Sequence, residues 1–300
     1  METFSSVTDA LVVQGAELLN WRRQQLCCGG RAVDLDWLLD LAAGVSWSLL
    51  QRLRIDPQRQ VRLAVSLQSL ELQWRRHLEE AVPLQHLVGR CPWRDLDLEV
   101  SPAALIPRQE TELLLDLAVQ HVGVQRVHRW ADLGTGSGAL AVALARAWPD
   151  ASGHAVDLSS EALSLADRNL ERCASGHRCT LHCGSWWQPL RPWWGCLDLV
   201  LSNPPYIPAN LLSELHPVVR DHEPHLALSG GVDGLEAIRP LIADAPLALR
   251  PGGWLLVEHH HDQSAAVLDL MDQAGLIERS AAPDLQGVTR FAIARRRLQS

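Results

Sequence analysis

Leu199-Val200-Leu201 is an apolar run halted at once by Ser202-Asn203-Pro204-Pro205-Tyr206, and that junction narrows the possible folds sharply. A run of this kind reads as a strand buried on both faces. Consecutive prolines carry no ladder donor, so the strand must stop at Asn203. The tetrapeptide Asn203-Pro204-Pro205-Tyr206 then lies at a strand's carboxyl end, the edge where open α/β sheets bind ligands. Asn203 precedes a proline, which drives its backbone towards extended geometry and aims its side chain. The Asn203 amide oxygen and the Pro204 carbonyl each offer an acceptor to one hydrogen of a planar NH2 group, and the Tyr206 ring offers a cover for its flat face. Tyr206 is the only tyrosine in the chain.

The second half of the sequence alternates strands and helices, which predicts a parallel sheet with helices on both faces. Strands are expected near Arg129 to Leu133, Gly153 to Val156, Thr180 to Cys183, Leu197 to Leu201 and Trp254 to Glu258. Two further apolar runs, Leu276 to Arg279 and Val288 to Ala294, have no helix between them and predict an antiparallel hairpin that closes a seven-stranded, mostly parallel sheet.

The first ninety or so residues lack a strand pattern. Helical spacing runs from Thr8 to about Cys28, Asp34 to Ala43, Ser46 to Leu53 and Val61 to Ala81, so residues 1–82 are expected to form a small all-helical domain. Trp21, Trp37, Trp47 and Trp74 are expected in its core, with an exposed docking face as the alternative. Residues 83–108, with alternation bounded by Gly and Pro, predict a linker carrying a short β-hairpin, and residues 109–300 a catalytic domain that opens on a helix near Gln109.

A net charge of −8 speaks against a chain that grips nucleic acid unaided, since phosphate contacts need a basic face. All 27 basic side chains are Arg. Seven irregularly spaced cysteines fit a reduced compartment, and no apolar stretch has the roughly 18–20 residues of a membrane span. The expectation is a cytoplasmic monomer. Cys173, His177, Cys179, His182 and Cys183 lack a Cys-x-x-Cys pair and span a helix end, a loop and a strand, so no metal is expected.

Asp132-Leu133-Gly134-Thr135-Gly136-Ser137-Gly138-Ala139 follows the first strand of the sheet and opens a helix, the arrangement by which glycines let backbone approach a ligand. It reads either as Gly-x-Gly-x-Gly or, through Gly134, Gly136 and Ala139, as the dinucleotide pattern. Asp157, at the end of the second strand, suits ribose hydroxyls in both. Asn203 to Tyr206 decide between them: methylation of an NH2 nitrogen uses such a seat and hydride transfer does not, so S-adenosylmethionine is the expected cofactor.

Taken together these segments resemble the HemK-type protein-(glutamine-N5) methyltransferases that modify peptide chain release factors. The resemblance is carried by Pro83-Leu84-Gln85-His86-Leu87 with Gly89, Ser101-Pro102, Leu105 to Arg108 with Glu110-Thr111-Glu112, the glycine loop and Ser202 to Ile207. It continues through Glu223-Pro224, Gly230 to Leu235, Glu258-His259, Asp284, Gly287 and Arg290. It implies a Rossmann-like S-adenosylmethionine-dependent methyltransferase domain preceded by a helical domain that docks the release factor, whose Gly-Gly-Gln glutamine is the methyl acceptor. By position it implies that Asp132, Gly134, Thr135, Gly136, Ser137, Gly138, Asp157 and Trp186 hold the cofactor. It implies that Asn203, shared with the cofactor, and Pro204, Pro205 and Tyr206 seat the glutamine amide. Ser185 stands where the family carries an acid, Gln109 where Pro is common, His260 where Gly is usual, and Cys91-Pro92 in place of an aromatic-rich turn. Other acceptors consistent with the residues are a different protein glutamine or a nucleobase amino group; a non-catalytic adaptor keeping the fold is the alternative of another class.

Overall fold

The computed structural model describes residues 11–123 and 127–298, and the chain divides into two compact units between Arg90 and Cys91. The first contains β1 (Leu11–Gln14), α1 (Gly15–Cys27), α2 (Ala32–Ala43), α3 (Trp47–Ile55), β2 (Gln60–Leu63), α4 (Leu67–Glu80) and α5 (Leu84–Val88). Leu18, Leu35, Leu38, Leu39, Leu53, Leu70 and Trp74 are fully buried at its centre. Ser46 and Ser66 cap α3 and α4 by accepting from the Leu49 and Ser69 amides.

This unit departs from the sequence expectation at both ends of its sheet. Leu11 to Gln14 pair antiparallel with Gln60 to Leu63, so the helix expected from Thr8 begins at Gly15, and the one expected from Val61 begins at Leu67. Thr8 to Ala10 lie outside the described residues. Leu11 and Val12 fall at helical spacing yet are exposed, so the apolar period there reports no buried face. Trp47 departs too: it is 65% exposed, while Trp21 and Trp74 are buried and Trp37 packs against the core's edge. Leu84 to Val88, expected within a hairpin segment, is helical.

The second unit begins with the hairpin β3 (Arg90–Trp93) and β4 (Leu96–Glu99) and the helix α6 (Glu112–Val122). It continues through β5 (Arg129–Leu133), α7 (Ala139–Ala147), β6 (Ser152–Asp157), α8 (Ser160–Cys173), β7 (Cys179–Cys183), β8 (Leu197–Ser202) and the one-turn α9 (Pro217–Arg220). It ends with α10 (Ile238–Ala248), β9 (Leu249–Glu258), α11 (Ser264–Gln273), β10 (Ile277–Pro283) and β11 (Thr289–Arg295). Seven strands form one sheet in the order β10-β11-β9-β8-β5-β6-β7; β11 alone runs opposite in direction to the other six. The expected mixed α/β sheet is therefore present strand for strand.

Alternation along the strands fills two cores. Trp130, Leu199, Leu201, Leu256 and Phe291 point to one face with α6 and α7, whereas Ala131, Val200, Leu255, Val257 and Ala292 point to the other with α10 and α11. After β7 the chain returns to lay β8 on the opposite side of β5. The carboxyl ends of β5 and β8 thus flank the crevice where strand order reverses, with Asp132 opposite Leu201 in the register. No helix among the described residues is long and apolar enough to cross a membrane.

Candidate active site

At that crevice the Ser202 hydroxyl donates to the Leu133 carbonyl at 2.6 Å, pinning the end of β8 to the end of β5. The glycine loop leaves β5 through Gly134, Gly136 and Gly138, whose φ angles are 77°, 56° and 82°. Gly138 has no alternative, because a Cβ on it would lie 2.9 Å from the Ala166 Cβ on α8. A Cβ on Gly134 would lie 3.2 Å from Trp186 Cζ3, closing the gap between loop and indole. Trp186 itself has φ 45°, a costly backbone for a bulky residue and one that the surrounding fold must impose.

Most of the loop's amides have protein partners. Gly134 and Thr135 donate to the Val156 carbonyl at 2.9 and 3.0 Å, and Gly136 donates to Asp157 Oδ2 at 2.8 Å. Asp157 Oδ1 accepts from the Ser159 amide at 2.9 Å, so each oxygen retains a lone pair for another donor. A pyrophosphate site needs such loop amides free. The geometry therefore favours the Gly-x-Gly-x-Gly reading over the dinucleotide one, in agreement with the choice that Asn203 to Tyr206 made and the glycines alone could not.

Asp132 is fully buried, and burial pushes its carboxyl up to about 7 while the Thr135 hydroxyl, 2.6 Å from Oδ2, opposes the rise. Its Oδ1 has no hydrogen-bond partner among the described residues.

A cavity of about 450 Å³ opens beside the loop. Gly134, Thr135, Gly136, Ser137, Asp157, Trp186, Asn203 and Pro205 line it; Asp132, Gly138, Pro204 and Tyr206 are not among its lining residues. The carboxylate of Asp157, the indole of Trp186 and the apolar side chains of Leu140, Leu158 and Ala162 in the lining fit a nucleoside joined to an aliphatic arm. Those features match S-adenosylmethionine.

Behind Asn203 lies a hydrogen-bond network joining residues far apart in sequence. Asn203 Nδ2 donates to Thr111 Oγ1 at 2.9 Å, the Thr111 hydroxyl donates to Glu258 Oε2 at 2.7 Å, and the Tyr206 hydroxyl donates to Glu258 Oε1 at 3.2 Å. Glu258, at the end of β9, is 1% exposed, and burial pushes its carboxyl up to about 7 against the two hydroxyls and Arg290. Burial and the neighbouring Glu258 also raise the Tyr206 phenol, which keeps its proton. Glu223 forms a second tie: it accepts from the Ile106 amide at 3.2 Å and from Arg108 Nη2 at 2.7 Å, joining two segments that flank the cavity. Reading the sequence assigned no role to Thr111, Glu258 or Glu223; each sits in a segment that carried the resemblance, which was the one available signal.

His182 faces His154, Nε2 to Nδ1 at 3.0 Å, and His177 lies 3.5 Å from Glu171, so the histidines of the Cys/His-rich stretch turn to different partners.

A family model described as Methyltransferase small domain matches residues 109–230. The chain is 56% identical to the release factor glutamine methyltransferase of Prochlorococcus marinus over 282 residues, which are 93% of this chain and 96% of that one. It is 39% identical to the release factor glutamine methyltransferase of Synechocystis sp. over 297 residues, 94% and 97% of the two chains. Among solved structures, the hMettl16 catalytic domain in complex with MAT2A 3′UTR hairpin 6 matches with a TM-score of 0.56 over 81% of this chain and 86% of that one, at 15% identity, a likeness of fold alone. Identity at the level of the first two, along nearly the whole of each chain, goes beyond a shared fold: this chain belongs to the release factor glutamine methyltransferase family.

Proposed function

We propose that this protein transfers a methyl group from S-adenosylmethionine to the side-chain amide nitrogen of the glutamine in the Gly-Gly-Gln loop of peptide chain release factors. The observation that carries the proposal is the position of Asn203. Its amide borders the same cavity as Gly134 to Ser137, and its Oδ1 accepts no hydrogen bond among the described residues.

Asp157 would take ribose hydroxyls on its remaining lone pairs, Trp186 would lie against the adenine, and the loop from Gly134 to Ser137, with Thr135 tied to Asp132, would form the floor. When bound, the cofactor supplies a methyl group on a sulfonium that leaves as a neutral thioether. Asn203 Oδ1 and the Pro204 carbonyl would accept the two amide hydrogens and so direct the nitrogen lone pair into the cavity. An amide nitrogen is a weak nucleophile because its lone pair is delocalised; holding it in line and stabilising positive charge on its hydrogens lowers the barrier without a general base.

Residues 1–82 would dock the body of the release factor, with Trp47 an exposed anchor of the kind that dominates protein interfaces. The segment 83–108 would link that domain to the catalytic one.

The test is incubation with S-adenosylmethionine and unmethylated release factor, followed by peptide mass spectrometry. One added methyl on the glutamine of the Gly-Gly-Gln peptide is expected. No methyl there, from protein that binds the cofactor, rejects the proposal. Asn203→Ala is expected to remove most turnover, at least about 100-fold by analogy with loss of a transition-state donor, while cofactor affinity measured by calorimetry stays within a few-fold. Near-normal turnover in that variant would refute the role given to Asn203.

A further inference from the structure

The amide of Asn203 can stand in two nearly isosteric orientations, and only one presents an acceptor to an incoming NH2 group. The network behind it selects between them by proton counting. Thr111 and Tyr206 each have one hydroxyl proton, and Glu258, once ionised above its raised pKa of about 7, has none to give. Both hydroxyls therefore donate to Glu258, one to each oxygen. Thr111 Oγ1 is left with lone pairs only, so Asn203 must turn Nδ2 towards it, and Oδ1 is left on the other arm of the amide. Thr111 lines the cavity wall beside Asn203, whereas Glu258 does not touch the cavity at all.

On the reading of the site as a glutamine methyltransferase, we propose that Glu258 acts through Thr111 as a positioning residue, fixing the Asn203 amide with its oxygen towards the methyl acceptor. The same carboxylate anchors Tyr206, so one buried acid at the end of β9 sets the geometry of both ends of the tetrapeptide. A reversed Asn203 amide would set N–H donors against the N–H donors of the substrate and lose the seat.

The test uses the full chain with Thr111→Val, which keeps the shape of the side chain without its hydroxyl, and Thr111→Ser, which restores the hydroxyl. With release factor as substrate, Thr111→Val is expected to lower kcat about 10- to 100-fold, the range for loss of one hydrogen bond tied to a charged group, with S-adenosylmethionine affinity unchanged. Thr111→Ser is expected to recover most of it. Glu258→Gln, which sets an NH2 group against one of the two hydroxyls, is expected to fall in the range of Thr111→Val. In an Asn203→Ala background Thr111→Val is expected to cost nothing more, because the two residues act as one unit.

A readout independent of turnover follows from the chain having four asparagines. In protein labelled with 15N-asparagine, the Asn203 side-chain signals are those absent from Asn203→Ala. One of its two amide protons is expected to exchange slowly, to lose that protection in Thr111→Val and to regain it in Thr111→Ser. Unprotected protons in the unsubstituted chain, unchanged protection in Thr111→Val, or additive losses with Asn203→Ala would each overturn the proposal. If the protons behave as expected while the release factor gains no methyl, the methyltransferase reading fails and the orientation of Asn203 stands.

Discussion

Glu258 is the residue on which two kinds of chemistry meet. As a carboxylate it aligns Thr111 and Tyr206, yet it is 1% exposed and resists ionisation, so the arrangement that directs Asn203 is kept at a cost in stability. Its pKa rises from 4.5 to about 7 on folding, so between those values the folded chain holds a proton that the unfolded chain has released. The contribution is therefore full below pH 4.5 and is lost as pH rises through about 7. At about 1.4 kcal/mol per pH unit the difference is on the order of 3 kcal/mol. E258Q removes the titration, and its stability relative to the unsubstituted chain is expected to improve by about that amount between pH 4.5 and pH 7.5 in urea unfolding; a parallel pair of pH profiles would contradict it. Asp132, with its carboxyl also pushed up to about 7, adds a slope of the same sign that E258Q leaves in place. None of this was visible from composition. Thr111 lies 92 residues from Asn203 and 147 from Glu258, and only the returning sheet brings them within hydrogen-bond reach.

At the level of elements, what the sequence disclosed depended on how completely an element is buried. Leu197 to Ser202 is buried at every position, and β5 and β6 nearly so; short buried segments of this kind, bounded by polar or turn residues, are readable at once. The β1–β2 pair has four residues in each strand, with Leu11 and Val12 exposed, and its spacing overlapped a helical period. The glycine loop was legible as a contiguous motif, but its internal hydrogen bonding was not, because Gly134 and Thr135 spend their amides on Val156, a residue of the next strand. The junction of loop and helix is also where a single added carbon does most harm. Gly138→Ala combines a φ of 82° with a Cβ 2.9 Å from Ala166, and is expected to destabilise the second unit by about 2–4 kcal/mol in denaturant unfolding. A loss below about 0.5 kcal/mol would mean that α8 yields freely there.

For the molecule as a whole, each unit has its own core. Leu39, fully buried in the first unit, belongs to a cluster separate from the two that sandwich the seven-stranded sheet. Leu39→Ala is expected to cost about 2–5 kcal/mol of stability, while the affinity of the folded protein for S-adenosylmethionine, read by calorimetry, is unchanged. A weakened affinity would mean that the cofactor site draws on the first unit. The sheet carries a different implication. β11 is the last of its seven strands in sequence, yet it lies inside the sheet between β10 and β9. A growing chain therefore emerges with the edge of β9, from Trp254 to Glu258, unpaired, and the glycine loop, Asp157 and Asn203 to Tyr206 are all translated before that edge is covered. Synthesis halted before Thr289 would yield a polypeptide that contains the glycine loop, Asp157 and Asn203 to Tyr206 but exposes an adhesive strand edge and lacks Arg290 beside Glu258. In the order of synthesis, the sheet is completed only when its final strand enters between β9 and β10.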